Sequence, residues 1–314
     1  MLDVCLLGTG GMMPLPNRWL TSLLFRYEGR MFLVDCGEGT QIPFKTAGWG
    51  FKALDCIFFT HYHADHISGL PGLLLTLGNS GKDTPLRLVG PPGLRRIVES
   101  LLVISPLLPF ELLYQELDPA LWNSDAARDP DFCSLDRHLS FQYMPVNHRV
   151  PCLAYRFDLQ RLGKFNPERA IELGIPIQQW SVLQHGADVA LPDGTHITPS
   201  MVLSGPRRGI SLSYCTDTRP TAAMPDFFHA SDLLILEGMY GDDEHREGAA
   251  DKKHMVFSEA AAIAAASCSR ELWLTHYSPA MKNPWDFVED TKKVFKHTVA
   301  GVDGKMRTLS FDDE

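Results

Sequence analysis

Short runs of apolar residues alternate with turn-forming residues along most of the chain. Most runs have a glycine, proline, asparagine or acidic residue at one or both ends, a pattern typical of strands that are buried in a sheet. Two early runs are separated only by Glu28-Gly29-Arg30, which indicates a hairpin. The pattern predicts strands at residues 4–8, 22–27, 31–35, 54–60, 86–89, 141–146, 152–157, 210–214, 233–236 and 272–275.

Helical segments are expected between these strands. Apolar residues cluster over 70–77, a helix is expected after Pro91-Pro92, and helices are also predicted at the alanine-rich segment 258–267 and at 285–297. Strands that alternate with helices indicate an α/β (α+β) protein. The length of 314 residues and the hydrophobic content of 45% suffice for one large domain, so we expect a single domain over 1–314.

The most specific feature lies at the end of the predicted strand 54–60. Residues 60–66 read THYHADH, so three imidazoles and one carboxylate are spaced as H-x-H-x-D-H. His61 and His63 share one face of an extended segment and can reach one metal ion. If the chain then turns into a helix, Asp65 and His66 lie near its N-terminus and can face a second ion. Such ligands suit Zn²⁺ and similar cations.

Composition and charge narrow the range of functions. The net charge of −9 argues against general attraction to nucleic acid, so an RNA or phosphate ligand needs a local positive site. No apolar run approaches the roughly 18–20 residues that cross a bilayer, and the first residues do not resemble a signal peptide. The seven cysteines are scattered and form no C-x-x-C pair. We therefore expect a cytoplasmic protein with no membrane partner.

Three further candidate ligands each lie within three residues of the end of a predicted strand. These residues are His148, Asp217 and His276. A metal ion that supports hydrolysis needs about four ligands, and several strand ends must supply them. Any one of the three alone would be an ordinary loop residue. In this order and together with H-x-H-x-D-H, they predict a metal centre.

Several motifs resemble the metallo-β-lactamase superfamily and, within it, the ribonuclease Z family, endonucleases that remove 3′ trailers from precursor tRNA. Besides H-x-H-x-D-H, these motifs are GTG at 8–10, DCGEGTQ at 35–41, GPPG at 90–93 and YCTDTRP at 214–220. The resemblance covers nearly the whole chain. It implies a four-layer αββα sandwich, the metallo-β-lactamase fold, with metals at one edge of its two central sheets.

The resemblance also implies a set of seven ligands for two divalent ions, Zn²⁺ in the first place and Mn²⁺ or Fe²⁺ as alternatives. One ion would take His61, His63 and His148, the other would take Asp65, His66 and His276, and Asp217 would bridge both. Asp35 would orient a ligand histidine from behind, which is the usual role of an outer carboxylate. Two ions about 3.5–4 Å apart suit the in-line hydrolysis of a phosphodiester.

A proton donor for the leaving oxygen is expected as well. In ribonuclease Z it comes from H-S-T and H-E-A-T motifs, and the matching segments here read HMV at 254–256 and LEGM at 236–239. His254 and Glu237 are therefore the expected acid pair, with Asp65 as a third catalytic residue. Leu236 and Met255 depart from the family pattern, so the hydrogen bonds that support the pair are expected to differ.

Substrate-binding elements are also implied. The family carries a tRNA-binding arm before the YCTDTRP motif, and residues 156–185 are its expected place here, although Gln178-Gln179 replaces the family's Gly-Pro element. Arg207, Arg208 and Arg219 are expected nearer the metals, where they would bind a substrate phosphate. Members of the family are commonly homodimers, so we expect a homodimer.

The preferred prediction is a metal-dependent endoribonuclease that removes the 3′ trailer of precursor tRNA. A phosphodiesterase that acts on small or cyclic phosphodiesters is the nearer alternative, and a lactonase or thioester hydrolase is more distant. The altered segments 236–239 and 254–256 suggest a non-catalytic metal- and RNA-binding protein, but the complete ligand set argues against it. A di-iron redox protein of the superfamily is disfavoured, because such proteins carry a flavin domain and a glutamate where His63 stands.

Overall fold

The computed structural model describes residues 1–105, 107–124, 130–205 and 207–312. The strands in this part of the chain are β1 (Leu2–Gly8), β2 (Ser22–Tyr27), β3 (Arg30–Val34), β4 (Leu54–Phe58), β5 (Leu86–Gly90), β6 (Leu112–Glu116), β7 (Leu139–Pro145), β8 (Leu153–Arg161), β9 (Val189–Ala190), β10 (His196–Ile197), β11 (Arg207–Cys215), β12 (Leu233–Glu237), β13 (Leu272–Thr275), β14 (Thr298–Ala300) and β15 (Lys305–Leu309). Seven of them form a sheet in the order β15-β1-β2-β3-β4-β5-β6, and six form another in the order β14-β13-β12-β11-β8-β7. All ten predicted strands are present.

Helices cover the outer faces of both sheets. In the described residues they are α1 (Gln41–Thr46), α2 (Ala64–Ile67), α3 (Leu70–Asn79), α4 (Leu94–Leu101), α5 (Pro130–Cys133), α6 (Pro167–Glu172), α7 (Ile177–Gln184), α8 (Met224–Phe227), α9 (Arg246–Lys252), α10 (Phe257–Ala266) and α11 (Val288–Lys292). Within these ranges we find no helix of the length and apolar character that a bilayer crossing requires. The helix predicted over 285–297 is shorter, because one 3₁₀ turn precedes α11 and turns follow it before β14.

The two large sheets pack face to face over one core. Successive residues of a strand point to opposite faces, so Val4 of β1 lies between the sheets while Cys5 lies under the helices. Across the central core, the rings of Phe25 in β2 and Phe157 in β8 are 4.5 Å apart. Because both faces of these strands are buried, they read as continuous apolar runs rather than as alternating ones.

The outer cores complete the four layers. Side chains of α1, α3 and α4 pack on the first sheet, whereas α8, α10 and α11 pack on the second. The order of layers is therefore helix, sheet, sheet, helix, and the predicted αββα sandwich is confirmed.

The chain between β8 and β11 leaves this sandwich, and we call residues 162–205 the insertion. It carries α6, α7, β9 and β10 and a small apolar core of its own, made by Ala170, Ile175, Leu183, Val189, Ile197 and Val202. Its two ends lie side by side, since Ser204 N donates to Lys164 O at 2.8 Å and Lys164 N donates to Ser204 Oγ at 2.7 Å. The segment expected as an arm, 156–185, thus begins inside β8 and ends before the insertion does.

Candidate metal centre

The seven side chains that were predicted as metal ligands meet at the carboxyl ends of strands from both sheets. His61 and His63 follow β4, Asp65 and His66 lie in α2, and the other three follow β7, β11 and β13, namely His148, Asp217 and His276. The turn into α2 places the second half of H-x-H-x-D-H beside the first half, as the spacing predicts. The sandwich thus brings together ligands that are up to 215 residues apart in the chain.

One group of ligand atoms comes from His61, His63, His148 and Asp217, and these atoms lie within 4.8 Å of one another. His63 Nδ1 is 2.9 Å from His61 Nε2 and 3.3 Å from His148 Nε2. The Oδ1 atom of Asp217 is 4.0 Å and 3.8 Å from the Nε2 atoms of His61 and His148. Three imidazoles and one carboxylate oxygen therefore surround a single point.

A second group comes from Asp65, His66 and His276. Asp65 Oδ2 is 3.5 Å from the Nε2 atom of each histidine. The other carboxylate oxygen of Asp217, Oδ2, lies 3.1 Å from His66 Nε2 and 3.2 Å from His276 Nε2. The two oxygens of Asp217 thus face different groups, which is the arrangement of a bridging carboxylate.

The chemistry of these groups fits two divalent cations. Asp217 Oδ2 is buried and accepts no hydrogen bond, and a buried unpaired acceptor is costly unless a cation meets it. Burial is the main cause that lowers the pKa values of His61 and His63, and neutral imidazole is the form that binds metals. The pKa of His66 is raised, because Asp217 and Asp35 outweigh its burial. Asp217 and Asp35 thus favour a positive charge beside His66. A bound metal ion would supply that positive charge.

Asp35 and Thr60 set the orientation of two ligand histidines. The carboxylate of Asp35 accepts hydrogen bonds from Thr60 N, Thr60 Oγ1 and His66 Nδ1 at 2.8–2.9 Å. Since the hydroxyl proton of Thr60 goes to Asp35, Thr60 Oγ1 accepts from His61 Nδ1 at 3.0 Å. Both histidines therefore carry their proton on Nδ1 and turn the lone pair of Nε2 towards the cluster. Asp35 thus lies behind His66, and its role in orienting a metal ligand stays a prediction.

The backbone at three of these residues adopts the left-handed region. Asp35 has φ of 62°, Asp217 of 53° and His276 of 57°. Asp35 and His276 directly follow β3 and β13, and Asp217 lies two residues after β11. The unusual φ turns each side chain into the cluster at the end of its strand. Such a conformation costs on the order of 1 kcal/mol for a residue other than glycine, and it is concentrated at functional sites.

Glu237 and His254 form the expected pair beside the cluster. His254 Nδ1 donates to Glu237 Oε2 at 3.0 Å, and Glu237 also accepts from the backbone N–H groups of Thr218 and Met255. Burial alone would lower the pKa of His254, but the charge and hydrogen bond of Glu237 outweigh it and raise this pKa. Glu237 thus holds the ring of His254 and favours its protonated form.

The two departures from the family motifs are explained by packing. Leu236 and Met255 are both completely buried, and both belong to the apolar core under α10. Met255 donates its backbone N–H to Glu237 Oε2 at 3.2 Å. Glu237 thus has hydrogen-bond donors from His254 and from two backbone N–H groups in this chain.

His254 also lies within reach of the metal ligands. Its ligand atom groups with those of Asp217 and His276, and its Nδ1 is 3.9 Å from Asp217 Oδ1. However, the hydrogen bond to Glu237 occupies Nδ1, which is the nitrogen on that side. His254 therefore lies beside the cluster with its Nδ1 engaged by Glu237, and the division of roles between His254 and the seven ligand candidates stays a prediction.

A cavity of about 480 Å³ opens over the cluster. Apart from ligands and His254, its walls include Met12, Arg149, Met239, Tyr240 and Lys252. The guanidinium Nη2 of Arg149 donates to Asp251 O at 2.9 Å, and Lys252 Nζ donates to Tyr240 Oη at 3.1 Å. The sequence interpretation missed these two cations as site residues, although Arg149 follows His148 directly and Lys252 lies two residues before His254.

The expectation that Arg207 and Arg208 lie near the metals is wrong. They begin β11, whereas Asp217 follows its other end, and nine residues of strand span about 30 Å. Arg208 pairs with Asp232 at 2.8 Å and with Asp312 at 3.3 Å. Both arginines line a different cavity, of about 750 Å³, at the base of the insertion.

Arg219 does lie beside the metal centre, but its guanidinium is engaged within the protein. It makes a two-point ion pair with Glu259, with distances of 2.6 Å and 2.8 Å, and it donates to the carbonyl oxygen of His254 at 2.6 Å. The side chain is 17% exposed. Because its guanidinium is already bonded to Glu259 and to His254 O, Arg219 is not available to bind a substrate phosphate.

An αββα sandwich that gathers five histidines and two aspartates at one edge of its sheets is the arrangement of a hydrolase of the metallo-β-lactamase fold. Solved structures agree on the fold: human tRNase Z, short form, matches with a TM-score of 0.69 and 23% identity over 98% of this chain and 100% of that one. A diphosphatase from the PhnP family matches with a TM-score of 0.63 and 17% identity over all of both chains.

Relatives that are similar in sequence over the whole chain show the family to which it belongs. Ribonuclease Z of Lachnospira eligens is 51% identical, and that of Clostridium acetobutylicum is 46% identical, each over 100% of both chains. The family described as anti-Pycsar protein Apyc1 matches residues 2–101, less than half of the chain. The chain belongs to the ribonuclease Z family, as its motifs predicted.

Proposed function

We propose that this chain is the endoribonuclease that removes the 3′ trailer of precursor tRNA by hydrolysing one phosphodiester bond. The observation that carries the proposal is that Asp217, which faces both ligand groups, and His254 line one cavity, while Glu237, buried behind His254, accepts the hydrogen bond of its Nδ1. A phosphodiester needs both charge neutralisation and a proton for the leaving oxygen. Membership of the ribonuclease Z family supports RNA as the substrate.

Two zinc ions are the proposed cofactors, because five imidazoles and two carboxylates form a mixed N/O donor set that suits this borderline cation. When bound, such ions lower the pKa of water to about 7 and neutralise negative charge on the phosphate. His61, His63 and His148 would hold one ion, Asp65, His66 and His276 would hold the other, and Asp217 would join them.

The side chains then divide the reaction between them. Asp65 lines the cavity and is held by the backbone N–H of Met12 at 2.7 Å, so it can orient the attacking water. The water oxygen bonds to phosphorus and its proton passes to the carboxylate of Asp65, while the bond from phosphorus to the leaving oxygen breaks. His254 gives a proton to that leaving oxygen, and Glu237 stabilises the protonated imidazole by accepting from Nδ1.

The nearer alternative is a phosphodiesterase that acts on small or cyclic phosphodiesters. A parallel assay of the zinc-loaded chain on precursor tRNA and on bis(p-nitrophenyl) phosphate separates the two functions. We expect cleavage of precursor tRNA at the 3′ side of the acceptor stem, with kcat/KM well above that for the small diester. Efficient turnover of the small diester without any cleavage of precursor tRNA would move the assignment to the alternative.

We propose Arg149 and Lys252 as the phosphate-binding residues, because both cations line the metal cavity. Arg149→Ala or Lys252→Ala should lower kcat/KM for precursor tRNA, and each should reduce the slope of log(kcat/KM) against log[salt] by about 1, since one phosphate contact is lost. Arg246→Ala is the matched control, because Arg246 lies on the same helix as Lys252 but pairs with Asp243. An unchanged slope in both cavity variants would contradict the assignment.

The insertion is proposed as the arm that holds the distant part of the RNA. Its own core gives it a fixed shape, and it projects from the second sheet between β8 and β11. It contains four acidic and only two basic residues, so the contacts would rest on shape and polar groups rather than on charge. Arg207 and Arg208, at its base, belong to this proposal rather than to the metal cavity.

A homodimer and a cytoplasmic location complete the proposal. Leu75 of α3, Val103, Ile104, Leu107 and Leu113 of β6 are between 43% and 88% exposed, and a second copy would cover such apolar side chains. The molar mass in solution tests this point.

Six of the seven cysteines are buried and all are free thiols, which favours a reducing compartment.

A further inference from the structure

The turn that carries His254 follows the end of α9, where His254 N donates to Ala249 O at 2.8 Å, and side chains from the metal side of the site fasten it further. Arg149 donates to the carbonyl oxygen of Asp251 at 2.9 Å, and Arg219 donates to that of His254 at 2.6 Å. Between them, Lys253 adopts a left-handed φ of 65°, and its carbonyl oxygen is 3.4 Å from His148 Nδ1. The position of His254 therefore depends on these side-chain contacts as well as on the end of α9.

Arg219 makes the shortest of these contacts, and Glu259 fixes Arg219 in turn. Both carboxylate oxygens of Glu259 meet the guanidinium, at 2.6 Å and 2.8 Å. Glu259 lies in the first turn of α10 and also accepts from Val256 N at 3.1 Å. The side chains of the pair are only 17% and 11% exposed. One ion pair thus secures the chain on both sides of Met255.

We propose that Arg219 is a positioning residue for the proton donor His254, and that Glu259 acts through it. Arg219 fixes the backbone of His254 while Glu237 fixes its ring, so two independent contacts aim the imidazole at the leaving oxygen. A carboxylate and a carbonyl already surround the guanidinium, so it is not the phosphate-binding group that its place in the sequence suggested. This inference rests on the proposed role of His254 as the acid.

The test compares two leaving groups. A ribose oxygen of precursor tRNA needs a proton to leave, whereas nitrophenolate leaves without one, so the loss of a correctly placed acid slows only the first substrate. Arg219→Lys and Glu259→Gln should each lower kcat on precursor tRNA by about 10- to 100-fold, because a displacement of about 1 Å can cost 10²-fold. KM for precursor tRNA and kcat on bis(p-nitrophenyl) phosphate should both stay within about twofold of wild type. A twofold change is far smaller than the expected loss of kcat on precursor tRNA.

Two further variants complete the design. Glu259→Gln is remote in sequence from the metal ligands, so it tests the inference if Arg219→Lys fails to fold. Glu247→Gln removes an exposed carboxylate from α9 and should leave both substrates unaffected. Metal content and Tm, measured for each protein, identify any general loss of structure. His254→Ala gives the reference selectivity for complete loss of the acid.

The outcomes separate the possible failures. Equal losses on both substrates, or a loss of metal in both pair variants, would make the ion pair structural and overturn the inference. A raised KM with a smaller salt slope would make Arg219 a phosphate ligand and also overturn it. If His254→Ala slows precursor tRNA selectively and the pair variants do not, the inference alone fails. If His254→Ala slows both substrates equally, the acid role in the proposed function fails.

Discussion

Replacing Asp217 should abolish hydrolysis of every phosphodiester and weaken both metal sites at once. Its two carboxylate oxygens face separate ligand groups, at 3.1–3.2 Å from His66 and His276 and at 3.8–4.0 Å from His148 and His61. Without the bridge, six ligands remain with no shared anion between two cations that repel each other. We expect a loss of at least about 10³-fold in kcat, equivalent to several kcal/mol of transition-state stabilisation.

Two substitutions make this test specific. Asp217→Ala removes the ligand, and Asp217→Asn removes the charge but tolerates the left-handed φ of 53°, since asparagine adopts this region more readily than most residues. Elemental analysis should find close to two metals per wild-type chain and clearly fewer in both variants. Asp226→Asn, in α8 on another cavity, is the control. Two metals per chain in Asp217→Asn with full activity would refute the bridging role.

The sandwich could be predicted because its strands are buried on both faces. Runs such as those of β2 and β3 send alternate residues into two different cores, and this gives continuous apolar segments that no turn residue interrupts. The residues that follow these strands were therefore identifiable as a group at one sheet edge. The left-handed backbone at Asp35 and His276 was not predictable, because tertiary contacts impose it against local preference.

Electrostatic roles were harder to predict than ligands. Arg207 precedes Asp217 by only ten residues, but an extended strand converts that spacing into roughly 30 Å. Arg219 is close to the metals, but its partner Glu259 lies 40 residues further along the chain and its charge is already matched there. Arg149 and Lys252, by contrast, line the cavity. The sequence shows which residues carry a charge near the ligand motifs, but only the folded structure shows which of these charged side chains face the metal cavity.

Replacing the insertion by a short linker should separate the two classes of substrate. Because Lys164 and Ser204 are hydrogen-bonded to each other, residues 165–203 can be exchanged for a few glycine and serine residues without moving β8 or β11. We expect kcat/KM for precursor tRNA to fall by about 10²-fold, equivalent to about 3 kcal/mol of lost contacts. Activity on bis(p-nitrophenyl) phosphate should not change, since all seven metal ligands remain in place.

A point variant tests whether the insertion must be folded, and not merely present, for the cleavage of precursor tRNA. Leu183 is completely buried in the core of the insertion, so Leu183→Asp should unfold this segment and reproduce the effect of the deletion, whereas Leu183→Met should not. The slope of log(kcat/KM) against log[salt] should stay near that of wild type in the linker variant, Leu183→Asp and Leu183→Met. The insertion carries more acidic than basic residues, and the phosphate contacts are proposed for the metal cavity. Equal losses on both substrates would make the insertion a structural element of the second sheet. Undiminished cleavage of precursor tRNA would show that the RNA is held elsewhere on the sandwich.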